Sequence, residues 1–122
     1  MIKLTIPGTL PGLNEYTKAN RTNPHIGNSM KKQAQEQIMW NIKGQIRELK
    51  PPIKISYLWI EKGKRRDLDN IAFAQKFVQD ALVALKALPN DGWGDIGGFT
   101  HDFAVDKDKP RVEITIYEKG EW

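Results

Sequence analysis

The sequence predicts an α/β (α+β) domain, a small mixed sheet with two main helices in the order β-α-β-α-β-β, filling residues 1–122 as a single domain. Three observations predict it. Short segments such as "IKISYLWI" (53–60) alternate apolar and polar residues, the period of a half-buried strand. Residues 29–49 repeat their apolar residues every three or four positions, the period of a helix with one buried face, and residues 70–88 read as a second helix. Clusters of Pro, Gly, Asn and Asp separate them, and the interleaving of the two periods favours sheet and helices in one layered unit.

In chain order, "IKLTI" (2–6) is the first strand, ended by Pro7-Gly8. Residues 7–27, rich in Gly, Pro, Asn and Thr, read as a long loop, and loops of that length in small domains are more often functional than not. From Asn28 as N-cap, residues 29–49 read as a helix with Met30, Ala34, Ile38, Ile42, Ile46 and Leu49 on one face, stopped by Pro51-Pro52. The strand 53–60 follows, its aromatic and β-branched residues suiting a pleated surface. Residues 70–88 read as a second helix, ending before Pro89. "GGFTHDFAVD" (97–106) and "RVEITIYE" (111–118) read as two strands joined by the turn "KDKP" in an antiparallel hairpin.

Composition narrows the function. With no cysteine, disulfide frameworks, thiolate zinc sites and cysteine nucleophiles are excluded. A net charge of +4 is compatible with a nucleic-acid partner without requiring one. "MIKLTIPG" lacks the pattern of a signal peptide, and no apolar run approaches the roughly 20 residues of a membrane span. The expectation is a soluble cytoplasmic protein with no membrane partner. The two serines lack nucleophile-elbow glycines, no glycine-rich phosphate loop is present, and "DLDNIAFAQKFV" has Ile71 and Ala72 where a calcium loop needs a ligand and a glycine. His25 and His101 stand alone and read as local hydrogen-bonding residues.

The stretch "KGKRRDLDN" (62–70) segregates its charges where a helix begins. In extended chain Asp67 and Asp69 project from the same face, and neighbouring carboxylates repel unless a cation lies between them. Helix capping explains one aspartate well, the second less well, and the four adjacent cations not at all. Asn70 adds an amide able to hold a carboxylate or water. Farther along, Asp69, Lys76 and Asp80 share a helical face, and Asp91 lies in the loop "LPNDGWGDIGG" (88–98).

"RRDLDN" (65–70), "KFVQDAL" (76–82), "LPNDGW" (88–93) and "DKPRVEITI" (108–116), with "LPGLNEY" (10–16) before them, resemble the RusA-type Holliday junction resolvases (crossover junction endodeoxyribonucleases) of bacteria and their phages, in order and across nearly the whole chain. The resemblance implies a Mg²⁺-dependent endonuclease, with Mn²⁺ as substitute. It would act as a homodimer on four-way DNA junctions in recombination and repair, with no small-molecule cofactor. It assigns the catalytic, metal-holding aspartates to Asp67, Asp69 and Asp91 and the catalytic lysine to Lys76. Lys76 stands seven residues after Asp69, whereas some members place the lysine about one helical turn closer. Asn90-Asp91 replaces a pair of acids, which selects Asp91 and leaves Asp95 and Asp102 in reserve. Asn70 would fix carboxylate orientation from behind. Lys62, Lys64, Arg65 and Arg66 would contact phosphates beside the scissile one, and Asn14 and Arg21 would extend that DNA-binding surface. A C2 dimer would match the near two-fold symmetry of a junction. The alternative is a non-catalytic module that binds branched DNA.

Overall fold

A computed structural model describes all residues, 1–122. Its elements are β1 (Ile2–Pro7), α1 (Leu13–Thr22), α2 (Pro24–Ile42), β2 (Ile53–Glu61), α3 (Leu68–Ala72), α4 (Gln75–Ala84), β3 (Ile96–Val105) and β4 (Arg111–Glu118), then a short 3₁₀ turn at Lys119–Glu121. The mixed α+β architecture is the one the sequence predicts. The sheet order is β1-β4-β2-β3; β4 runs antiparallel to both neighbours, and β2 and β3 are parallel.

Alternation makes this a one-faced sheet. Leu4 and Ile6 of β1, Ile53, Ile55, Tyr57 and Trp59 of β2, and Val112, Ile114 and Ile116 of β4 all bury. They pack with Ala34, Ile38 and Ile42 of α2 and Phe77, Val78, Ala81 and Leu82 of α4 in one core cluster. Burial of side chains of this size contributes about 1.5–3 kcal/mol each, which holds the helices on that face. β2 lies inside the sheet and is the strand with two consecutive buried residues, Trp59 and Ile60. His101 does the local work expected of it: Trp59 Nε1 donates to its Nδ1 at 2.9 Å.

Five expectations change. The stretch 7–27 is not a loop throughout, because it holds α1. Few of its residues face inward, so the helical period is faint. Ala19 is buried, while Tyr16 stacks on Phe73 at 5.7 Å and meets Phe77 edge-on at 5.8 Å. The N-cap of α2 is Asn23, whose side chain accepts from the His25 N–H at 2.8 Å, rather than Asn28. Gly27, one turn in, allows α1 and α2 to close together: a Cβ there would lie 1.7 Å from Asn20 Oδ1. That helix also stops at Ile42, and Leu49 is buried from irregular chain whose N–H bonds the Ala87 carbonyl.

The second helix is broken at Phe73–Ala74 into α3 and α4 and ends at Ala84. Past its end Lys86 takes a left-handed φ of 60°, and the Ala87 N–H reaches back to the Leu82 carbonyl at 3.0 Å, closing the last turn. Finally, β3 and β4 form no hairpin. They flank β2, and the turn chemistry at 106–110 carries the chain across the end of that strand instead. Asp106 anchors the crossing, its N–H on the Glu61 carbonyl at 2.9 Å and its carboxylate accepting from the amides of Asp108 and Lys109. Turn residues signal a reversal but not the number of strands it skips.

Candidate nucleic-acid and metal site

The β2–α3 connection forms the charged shoulder of the molecule. Asp67 is the N-cap of α3 in extended conformation, yet its side chain makes no capping bond. Asp69 sits in the first turn, its Oδ1 accepting the Asn70 N–H at 2.9 Å. Both aspartates are exposed, and the positive end of a short helix favours carboxylates there. Lys62, Lys64 and Arg65 are exposed beside them and form no ion pair with any acid of the chain. Two clefts flank the stretch. One, of about 730 Å³, is walled by Arg65, Lys62 and Leu10; the other, of about 620 Å³, by Lys64, Asp67 and Phe103.

Arg66 behaves differently from the other three cations. Its guanidinium forks onto Glu61 at 2.9 and 3.0 Å, donates to the Leu10 carbonyl at 3.0 Å and reaches Glu15 at 3.3 Å. Only 21% of its side chain is exposed. Burial works to lower its pKa, and the hydrogen bonds and charge of Glu61, with Glu15, more than offset this and leave it raised. A bidentate, part-buried fork ties the end of β2 to the approach to α1, so Arg66 holds the shoulder together rather than standing free for phosphate.

Asn70 is the one buried polar residue. Its Oδ1 accepts the Asn14 N–H at 2.7 Å, satisfying a donor at the start of α1. Gly12 is needed at this contact, because a Cβ there would lie 2.5 Å from that same oxygen. The side chain expected to steer a carboxylate therefore docks α1 against α3; its backbone N–H is what touches Asp69. Asn14 is thereby fixed at the base of α1, while Arg21, in the last turn, is exposed and unpaired.

A second cluster lies on α4. Lys76, 55% exposed, stands 3.3 Å from Asp80 and 3.9 Å from Asp91, and Lys31 of α2 approaches Asp80 at 3.8 Å. The loop 88–95 thus returns Asp91 to the helix of the predicted lysine. Next to it Trp93 is fully exposed. Lys31 carries no signal in the sequence, and neither do Glu15 and Glu61, the acids that occupy Arg66; all three meet their partners only through the fold.

As donors, Asp67, Asp69 and Asp91 suit a hard divalent cation in kind: all are carboxylates, and Asp67 has no competing cap bond. Asp91 is placed with Lys76 and Asp80, and no three acidic or histidine side chains stand together as a ligand group. No helix is long and apolar enough to cross a membrane. No family model matches the chain, and no curated protein matches its sequence.

Proposed function

We propose that the protein is a Mg²⁺-dependent, structure-specific endodeoxyribonuclease, bacterial or phage-encoded, that resolves four-way DNA junctions by paired nicks, acting as a homodimer in the cytoplasm. The observation that carries the reading is the shoulder itself. Exposed carboxylates at Asp67 and Asp69 are bracketed by Lys62, Lys64 and Arg65, none of which has an acid partner within the chain. Solvated surfaces interleave their charges, whereas an unpaired block of cations beside unpaired acids suits a polyanion approached together with a metal ion. The ordered resemblance to the RusA-type resolvases supports the same reading.

In this reading Asp67, Asp69 and Asp91 hold Mg²⁺, which would neutralise the phosphate and lower the pKa of an attacking water. Lys62, Lys64 and Arg65 bind the flanking phosphates and orient the backbone. Lys76, held between Asp80 and Asp91, sets a positive charge toward the phosphoryl oxygens as charge develops there. Arg66 and Asn70 keep β2, α1 and α3 in register beneath the site.

One observation favours a second reading, a module that binds branched DNA without cutting it: the three aspartates do not form one ligand group. Mobility shift and cleavage on the same junction separate the two. Asp69→Asn that keeps binding and abolishes Mg²⁺-dependent nicks supports the nuclease; a wild-type protein that binds and never nicks supports the module. Mn²⁺ binding followed by its paramagnetic resonance reads the metal site apart from activity, and weakens in Asp67→Asn and Asp91→Asn if those acids are ligands.

A further inference from the structure

The two edges of the sheet are finished differently. β1 is short, carries the exposed Lys3 and Thr5, and ends in Pro7, all features that discourage another strand from adding to it. β3 is ten residues long, contains no Pro, Lys or Arg, and lies at the opposite edge with β2 as its only strand neighbour. The Asp106 N–H bonds the Glu61 carbonyl, and Glu61 pairs with Val105. In a parallel ladder that alternation turns the N–H and C=O groups of Phe99, His101, Phe103 and Val105 outward, away from β2. Phe99 and Val105 are also 47% and 48% exposed. A long, nearly uncharged edge with a free row of backbone donors and acceptors is a template for another strand.

We propose that β3 is the homodimer seam: two copies pair antiparallel along it, joining two four-stranded sheets into one. This deepens the two-fold arrangement in the proposed function, but its test needs no DNA. A second copy fits better than an unrelated peptide because the edge complements itself. With the two-fold axis at His101, Phe99 faces the second copy's Phe103, Gly97 faces Val105, and the one carboxylate, Asp102, faces Thr100. An axis at Asp102 would instead set carboxylate against carboxylate. The Phe99–Phe103 pairs also cover aromatic surface that a single chain leaves in water; within one chain Phe99 has His101 edge-on at 5.5 Å. An axis perpendicular to the sheet keeps the helices of both copies on one face. The same two-fold axis then relates the Lys76–Asp91 cluster and the cationic shoulder of each copy to those of the other, as two cuts in one junction require.

Sedimentation equilibrium without DNA, combined with amide hydrogen exchange on the wild-type chain, tests this. The expected result is a species of twice the chain mass, with the Phe99, His101 and Phe103 amides exchanging more slowly as concentration rises. Phe99→Lys should weaken association about tenfold or more, by removing both aromatic pairs and adding two cations at the seam. Thr5→Lys on the β1 edge should leave it unchanged. A monomer at every concentration overturns the proposal, as does a dimer whose β3 amides exchange at the dilute-solution rate. The exchange measurement stands even if Phe99→Lys fails to fold. Pairing through β3 by a protein that never nicks DNA overturns the nuclease reading and leaves the seam intact.

Discussion

Lys76 on α4 lies 3.9 Å from the Asp91 carboxylate, a residue delivered by the loop that follows the helix. The same ammonium is 3.3 Å from Asp80, one helical turn along. Exposed pairs of this kind contribute between about 0 and 1 kcal/mol, so stability alone gives little reason for the arrangement. Lys76→Ala should therefore leave the unfolding free energy within about 0.5 kcal/mol of wild type and lower the rate of junction cutting about a hundredfold. Denaturant titration and single-turnover cleavage on the same preparations check both halves.

Arg65 and Arg66 are adjacent in sequence and have opposite expected phenotypes. Arg66→Ala removes the fork on Glu61 and the bond to the Leu10 carbonyl and should cost about 2 kcal/mol of stability. Arg65→Ala should leave the melting temperature unchanged, weaken DNA binding across sequences, and flatten the dependence of log affinity on log salt by about one unit. Salt-dependent binding and thermal melts, run on both variants, separate structural from phosphate-contacting arginine.

These two arginines also mark how far the sequence could be read. Strands β1 and β4 were legible because each alternates over a one-faced sheet, and β2 because it alternates as far as Trp59 and is rich in β-branched and aromatic residues. The core face of α2 was legible for the same kind of reason, and Ala34, Ile38 and Ile42 of it are buried. Helix α1 was not: only Ala19 buries fully, and Tyr16 finds Phe73 and Phe77 only once the chain has folded. The break at Phe73–Ala74 leaves the apolar spacing nearly intact and is silent in the pattern. At the candidate site the charge block was legible; the resemblance grouped Asp91 with Asp67 and Asp69, whereas the fold sets it beside Lys76 and Asp80. The diversion of Arg66 to Glu61 and Glu15, and of Asn70 to the Asn14 amide, was not legible, because those partners lie on elements whose meeting depends on tertiary packing. Placing β3 and β4 in a hairpin failed for a related reason, since local turn chemistry says nothing about a strand inserted between them.

Lys86 is an exposed residue held at φ 60° where glycine carries no steric cost. Lys86→Gly should raise stability by about 0.5–1 kcal/mol with no change in DNA binding, as measured by urea titration and mobility shift.

Glu118 sets an acid limb to stability. Its carboxylate accepts from Arg47 at 2.5 Å and from the Lys50 N–H at 2.7 Å, and the Arg47 hydrogen bond foremost, with the Lys50 amide behind it, holds its pKa down to about 2. A carboxyl depressed on folding contributes stability that is complete above its unfolded pKa and is lost as pH falls through the folded one. The contribution should therefore fade from the ordinary glutamate range down to about pH 2. Glu118→Gln should melt lower than wild type at neutral pH, and the two curves should converge in acid. Melting temperatures across that range measure it.

Cleavage of a synthetic four-way junction, strand by strand, with and without Mg²⁺ and beside a linear duplex of the same sequence, tests the central claim most directly. The account predicts paired nicks on opposing strands, confined to the junction, dependent on the metal, and abolished by Asp69→Asn and Asp91→Asn while binding persists. Tight junction binding with no nick on any strand in Mg²⁺ or Mn²⁺ would contradict it.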